Sequence, residues 1–292
     1  MSEPVGPQEP GDAGGPGDAE PFGARLWAAT RRYGPLCAGI DPHAALLDAW
    51  GLPDDVAGLE RFALRAVEAF AGEVGVVKPQ SAFFERFGAA GVAVLERTVR
   101  EARSAGLLVL LDVKRGDIGS TAAAYADAYL HADSPLRVDA VTVSPYLGLG
   151  SLDPFLQRAA EHGGGVFVLA LTSNPEGSQV QRARLEGGAT VAQTMLDGIR
   201  ERNAGVRPQG SYGAVVGATL GDLDADVRIG GPLLVPGYGA QGGTSQDLAR
   251  MFGDVWDHVL VASSRGVLGR GPDVDGLRGA VREAREDLAS AR

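Results

Sequence analysis

The chain has 292 residues, enough for one large domain or two small ones, and at 45% hydrophobic it can build a sizeable core. Its formal net charge of −10 argues against non-specific nucleic-acid binding, which needs a basic surface, but leaves room for a small anionic ligand in a locally positive pocket. No apolar run approaches the roughly 18 residues of a membrane span, and a lone cysteine, Cys37, allows no intrachain disulfide, so a soluble cytoplasmic protein is expected.

Residues 1–20 are acidic and rich in glycine and proline. They lack the basic start and apolar stretch of a signal peptide and read as a disordered tail. Residues 21–292 are expected to form the folded domain, opening with an extra helix over 21–33. Eight short apolar runs follow: 36–41, 75–79, 108–114, 140–146, 165–173, 213–219, 232–237 and 258–264. Most are apolar on both alternating faces, as strands buried on both sides should be. Between them lie segments with apolar residues three and four apart, such as LERFALRAVEAFA, ATVAQTMLDGIRERN and VDGLRGAVREAREDLASA. The sixth crossover, around GDLDADVRI, is short and weakly periodic.

Strands and helices alternating in this number predict an α/β chain folded as a (β/α)8, or TIM, barrel. A doubly wound open sheet is the alternative, but no G-x-G-x-x-G follows the first strand and no G-x-x-x-x-G-K-[ST] occurs. A barrel places catalytic groups at the C-terminal ends of its strands. Those ends carry Asp41, Lys78, Asp112 with Lys114, Pro145, Ser173, Thr219, Gly237, and Ser264 with Arg265. Asp and Lys are costly in apolar strands unless paired. Asp112 and Lys114, two apart, point to one side, which requires Val113 to face the outer helices.

Only two of the 27 basic residues are lysines, Lys78 and Lys114. Where arginine is so heavily preferred, a retained lysine suggests chemistry that arginine performs poorly, such as proton donation or Schiff-base formation. The order Lys78, Asp112, Lys114, Asp117 suggests interleaved opposite charges that fix one another; a buried structural network is the plainer alternative. The loop PGYGAQGG after the seventh strand offers backbone N–H groups to an anion, and Arg265 after the eighth can bind phosphate bidentately. None of the four histidines pairs with another, or with Cys37, at metal-ligand spacing. His43, next to Asp41-Pro42, could lie near a site.

DVKRGDIGSTAAAYA resembles the Asp-x-Lys-x-x-Asp signature of the orotidine 5′-phosphate decarboxylase family. CAGIDPH, VVKPQSAFFE, TVSPYLG, LTSNPEG and PGYGAQGG are similar to its bacterial type 2 subgroup. The resemblance runs from about residue 21 to the C-terminus. It implies a homodimeric barrel that converts orotidine 5′-phosphate to UMP and CO₂ without metal or organic cofactor, the last step of de novo UMP synthesis. By this resemblance Lys114 is the proton donor to C6 and Asp112 lies beside the substrate carboxylate. Lys78 and Asp41 match ribose-contacting positions. Asp117, Ile118 and Thr121 match residues lent to the partner subunit's site. Ser173 matches a serine at the pyrimidine edge, and Arg265 matches the phosphate-binding arginine. Gln241 belongs to the phosphate-side loop, where Gly237 and Ser264 are also candidate substrate contacts.

Three other functions remain open on the residues alone. One is a related barrel acting on a sugar phosphate with Mg²⁺, such as a keto-gulonate phosphate decarboxylase or hexulose phosphate synthase. The second is a Schiff-base aldolase using Lys78 or Lys114. The third is a catalytically inert barrel that binds nucleotide.

Overall fold

The computed structural model describes residues 20–221 and 223–291. Apart from Glu20, the expected tail lies outside the described residues. Eight strands run β1 (Leu36–Ile40), β2 (Val76–Pro79), β3 (Leu108–Arg115), β4 (Ala140–Val143), β5 (Gly165–Leu171), β6 (Tyr212–Val216), β7 (Leu233–Pro236) and β8 (Val259–Ser263). They close in chain order, and β1 pairs in parallel with both β2 and β8. Six strands fall inside their predicted runs, while β3 runs one residue past the end of its run and β6 starts one residue before its own.

Alternation along the strands divides the apolar side chains between two layers. One layer fills the barrel: Cys37, Val76, Leu110, Phe167, Val215 and Leu260. The other packs outward against helices and includes Val113, as the orientation of Asp112 and Lys114 requires. Burial pushes the Cys37 thiol up to about 12, so it is an inert core group.

The first helix, Phe22–Tyr33, seals the N-terminal end of the barrel. Phe22 and Leu26 enter the interior layer, and Phe22 meets Phe167 edge-on at 6.0 Å. Gly165 makes this possible, because a Cβ there would lie 2.2 Å from the Phe22 ring. With that end plugged, ligand access falls to the opposite, C-terminal mouth.

Side-chain caps fix several helix starts. Asp55, Thr190, Thr244 and Asp273 accept from the N–H groups of Gly58, Gln193, Asp247 and Gly276 respectively. Each such cap is worth about 1 kcal/mol. Among the described residues the sixth crossover contains no helix. Asp226 instead accepts from the Arg228 backbone N–H at 3.1 Å, a local bond that competes with helix. Val227 and Ile229 still bury themselves against the outer core, and Asn203 Nδ2 donates to the carbonyl of Ile229 at 3.0 Å.

Candidate active site

The C-terminal mouth opens into a cavity of about 380 Å³. Asp41, Lys78, Asp112, Gly237, Gln241, Ser264 and Arg265 all line it. The topology explains why: β1, β2 and β3 are neighbours, and β8 closes against β1. Residues far apart in sequence therefore meet at one rim.

At its centre Asp112 joins the two lysines. Its Oδ2 accepts from Lys78 Nζ at 3.1 Å and its Oδ1 from Lys114 Nζ at 2.5 Å. Lys78 and Asp112 are buried, whereas the Lys114 side chain is 46% exposed. Burial works against the Asp112 carboxylate, but Lys78 and Lys114 outweigh it and hold its pKa down at about 2. Burial likewise works against the Lys78 ammonium, yet Asp112 and Asp41 raise its pKa above that of an ordinary lysine. Asp112 and Lys78 are thus both held in their charged forms.

Lys114 is the sole non-glycine residue with positive φ, +45°, among the described residues. Such a conformation is costly for a residue with a Cβ and persists only where its surroundings enforce it. It coincides with a register shift: Leu111 pairs with Val141 but Arg115 with Val143, so β3 carries two more residues than β4 across this interval.

The phosphate-side loop follows β7. Gly237, Gly239 and Gly242 have φ of +111°, +71° and +93°, which glycine adopts without a Cβ penalty. Tyr238 Oη donates to Asp287 Oδ2 at 2.6 Å and ties the loop to the last helix. Arg265 begins the one-turn helix Arg265–Leu268 and makes no ion pair among the described residues, so its charge is free for an anion.

Lys114 and four other predicted residues are not among this cavity's lining residues. Ser173 sits two residues beyond β5 and is exposed. Asp117 accepts the Ile118 N–H at 2.8 Å in the loop after β3, and Thr121 lies exposed in the first turn of helix Gly119–Leu130. Ile118 is 61% exposed. The proposed array of four charges is therefore a chain of three, and among the described residues Asp117 joins none of its ion pairs.

Several lining residues escaped the sequence reading of the site. Gln80 and Phe83 follow Lys78 within the VVKPQSAFFE segment, and Tyr238 lies within PGYGAQGG. His43, which the sequence placed near a possible site, does line the cavity, its ring 5.8 Å from that of Phe83. Thr142, hidden in an apolar strand, donates to Asp112 Oδ1 at 2.7 Å.

A plugged parallel barrel with an ion-paired lysine array and an unpaired arginine at its open mouth has the layout of an enzyme for a small phosphorylated substrate. The chain belongs to the orotidine 5′-phosphate decarboxylase / HUMPS family, which it matches over residues 34–279. It is 62% identical to orotidine 5′-phosphate decarboxylase of Salinispora arenicola, over 93% of this chain and 98% of that one. Identity to the enzyme of the same name from Streptomyces coelicolor is 64%, over 89% and 94% of the two chains. A crystal structure from Streptomyces avermitilis, of a protein provisionally described as orotidine 5′-phosphate decarboxylase, superposes with a TM-score of 0.92 at 61% identity. That match covers 94% of this chain and 96% of the other.

Proposed function

We propose that this protein converts orotidine 5′-phosphate to UMP and CO₂, the closing step of de novo UMP synthesis, without metal or organic cofactor. The observation that carries the reading is the Lys78–Asp112–Lys114 array, in which Lys114 is the half-exposed member and Asp112 and Lys78 line the cavity at the mouth. The relatives' names support it at more than 60% identity over most of the chain.

Breaking the bond from C6 to the carboxylate leaves its electron pair on C6 as a vinyl carbanion with no delocalising sink. A preorganised ammonium aimed at that charge supplies the stabilisation. In this reading Lys114 Nζ faces C6, stabilises the developing pair and transfers a proton to it as CO₂ departs. The neutral amine then recovers a proton from water. Asp112 stands beside the substrate carboxylate. Asp41 and Lys78 hold the ribose, Ser173 the pyrimidine edge, and Gly237, Gln241, Ser264 and Arg265 the phosphate side. Phosphate binding far from C6 contributes to the rate if its energy closes the loop over the site.

The reading includes a homodimer in which Asp117, Ile118 and Thr121 serve the partner's site. Asp117 joins none of the ion pairs of the Lys78–Asp112–Lys114 array among the described residues, which supports this, as does apolar surface on the adjoining loop. Tyr146 is 77% and Leu147 53% exposed after β4, and the two loops touch where Gly116 packs on the Ser144 carbonyl. We place the enzyme in the cytoplasm; among the described residues no helix is long and apolar enough to cross a membrane.

The family also contains sugar-phosphate enzymes, and these form the competing reading. Asp112 already accepts from both lysines and Thr142, which favours the metal-independent reaction. The test is loss of orotidine 5′-phosphate absorbance on adding purified protein, with and without EDTA. Turnover unchanged by EDTA is expected. Absence of turnover, or turnover lost to EDTA and restored by Mg²⁺, overturns the reading.

A further inference from the structure

We propose that Thr142 is a positioning residue for this reaction: its hydroxyl sets Asp112 and the strained Lys114 backbone in their reactive arrangement. The proposal rests on the decarboxylase reading above.

Thr142 lies in β4, 1% exposed, facing the bulged part of β3. Its Oγ1 is 2.7 Å from Asp112 Oδ1, 3.1 Å from the Val113 nitrogen and 3.0 Å from the Lys114 nitrogen. A hydroxyl has one proton to donate and two lone pairs to accept with. Both backbone partners are N–H groups and can only donate. The hydroxyl proton is therefore committed to Asp112 Oδ1, and the hydroxyl has no capacity left over.

This saturation gives the group two functions. First, it accepts two N–H groups where the register shift interrupts the regular ladder between β3 and β4. Buried N–H groups without acceptors are costly, so the bulge requires such a substitute. Lys114, at φ +45°, is one of the two residues so held. Second, it directs a donor at the same oxygen that receives Lys114 Nζ. Asp112 Oδ1 thus sits between Thr142 and Lys114 while Oδ2 sits on Lys78, and rotation of the carboxylate is blocked from both sides. A misplacement of the order of 1 Å at a reacting group costs about 100-fold in rate. Neither the methyl of Thr142 nor its apolar surroundings can perform this task, so the assignment is specific to the hydroxyl.

The test compares Thr142→Val, nearly isosteric but without the hydroxyl, with Thr142→Ser, which keeps the hydroxyl and loses the methyl. Wild-type turnover of orotidine 5′-phosphate is measured alongside. If wild type itself does not turn over, the decarboxylase reading fails, and this proposal falls with it for that separate reason. With an active wild type, Thr142→Val is expected to lose at least tenfold in kcat. Its affinity for UMP, which binds without needing the proton-transfer geometry, should stay within about threefold of wild type. Thr142→Ser should retain kcat within about threefold. A Val variant with near wild-type kcat overturns the proposal, as does one in which kcat and UMP affinity fall together. If the Val variant does not fold, the Ser variant decides: kcat within threefold upholds the hydroxyl's role, and a loss beyond that overturns it.

Discussion

Lys114 Nζ stands 2.5 Å from Asp112 Oδ1, although a single residue separates the two along β3. The pair is held from outside its own strand. Lys78 on β2 takes the other carboxylate oxygen, and Thr142 on β4 holds both the shared oxygen and the Lys114 backbone. A buried carboxylate with lysines on two sides thereby fixes the position of the half-exposed Lys114 Nζ.

Replacing Lys114 should separate charge from proton delivery. Lys114→Ala is expected to lower kcat by roughly 10³-fold or more, the combined scale of electrostatic and acid catalysis. Because the side chain is half exposed, circular dichroism should be unchanged. Lys114→Arg restores a positive charge but gives up a proton far less readily, so it should not recover activity. Substantial turnover by the Arg variant would remove Lys114 from the role of proton donor.

Arg265 is expected to act through phosphate alone. Arg265→Ala should lower kcat/KM for orotidine 5′-phosphate on the order of 100-fold, the scale of losing a charge-assisted contact. Orotidine, which lacks the phosphate, should react poorly with wild type and be little affected by the substitution. Equal losses on both substrates would show that Arg265 supports the fold or touches another part of the substrate.

The charge array should also mark the stability profile. Asp112 has a pKa of about 2 in the folded chain against an ordinary 3.8. Between these values the unfolded chain binds more protons, so stability rises with pH there. The contribution is fully present above 3.8 and is lost as the pH falls toward 2. It amounts to roughly 2 kcal/mol at about 1.4 kcal/mol per pKa unit. Asp112→Asn, which leaves buried Lys78 without this partner, should unfold in less urea than wild type at pH 7. The gap should narrow as both proteins are acidified below pH 4. A gap that stays constant down to pH 2 would mean that Asp112 carries no such linkage.

The barrel was legible because its strands are buried on both faces, so each apolar run marks a strand to within a few residues. The rim residues Asp41, Lys78, Asp112 and Arg265 were legible for the same reason: a charge at the end of an apolar run has no packing explanation. The sixth crossover was less so, since tertiary burial of Val227 and Ile229 holds it without helix. Thr142 carried no local signal. A threonine among valines is an ordinary strand residue, and its partner Asp112 lies 30 residues away. The bulge was equally hidden, because lysine is not a residue type that announces positive φ. Asp117 was singled out through its motif, but only the fold separates it from the Lys78–Asp112–Lys114 chain.

That separation supports the last prediction. Asp117 lies just past β3, outside the ion pairs of the Lys78–Asp112–Lys114 array, next to exposed Ile118 and in a loop that meets, at Gly116 and Ser144, the loop carrying exposed Tyr146 and Leu147. If it completes the partner's site, each working centre needs Lys114 from one chain and Asp117 from the other. Lys114→Ala and Asp117→Ala should each form nearly inactive homodimers. When the two are mixed and subunits exchange, every mixed dimer holds one doubly damaged site and one site with both residues intact. Random exchange at equal concentrations makes half the dimers mixed, so about a quarter of all sites should regain activity. If Asp117 served its own chain, each site would keep one lesion and mixing would restore nothing. Exchange is monitored by giving the two variants different tags and capturing both from the mixture. No recovery of turnover in a mixture that has demonstrably exchanged would overturn the shared site, while leaving decarboxylation by Lys114 to stand on its own test.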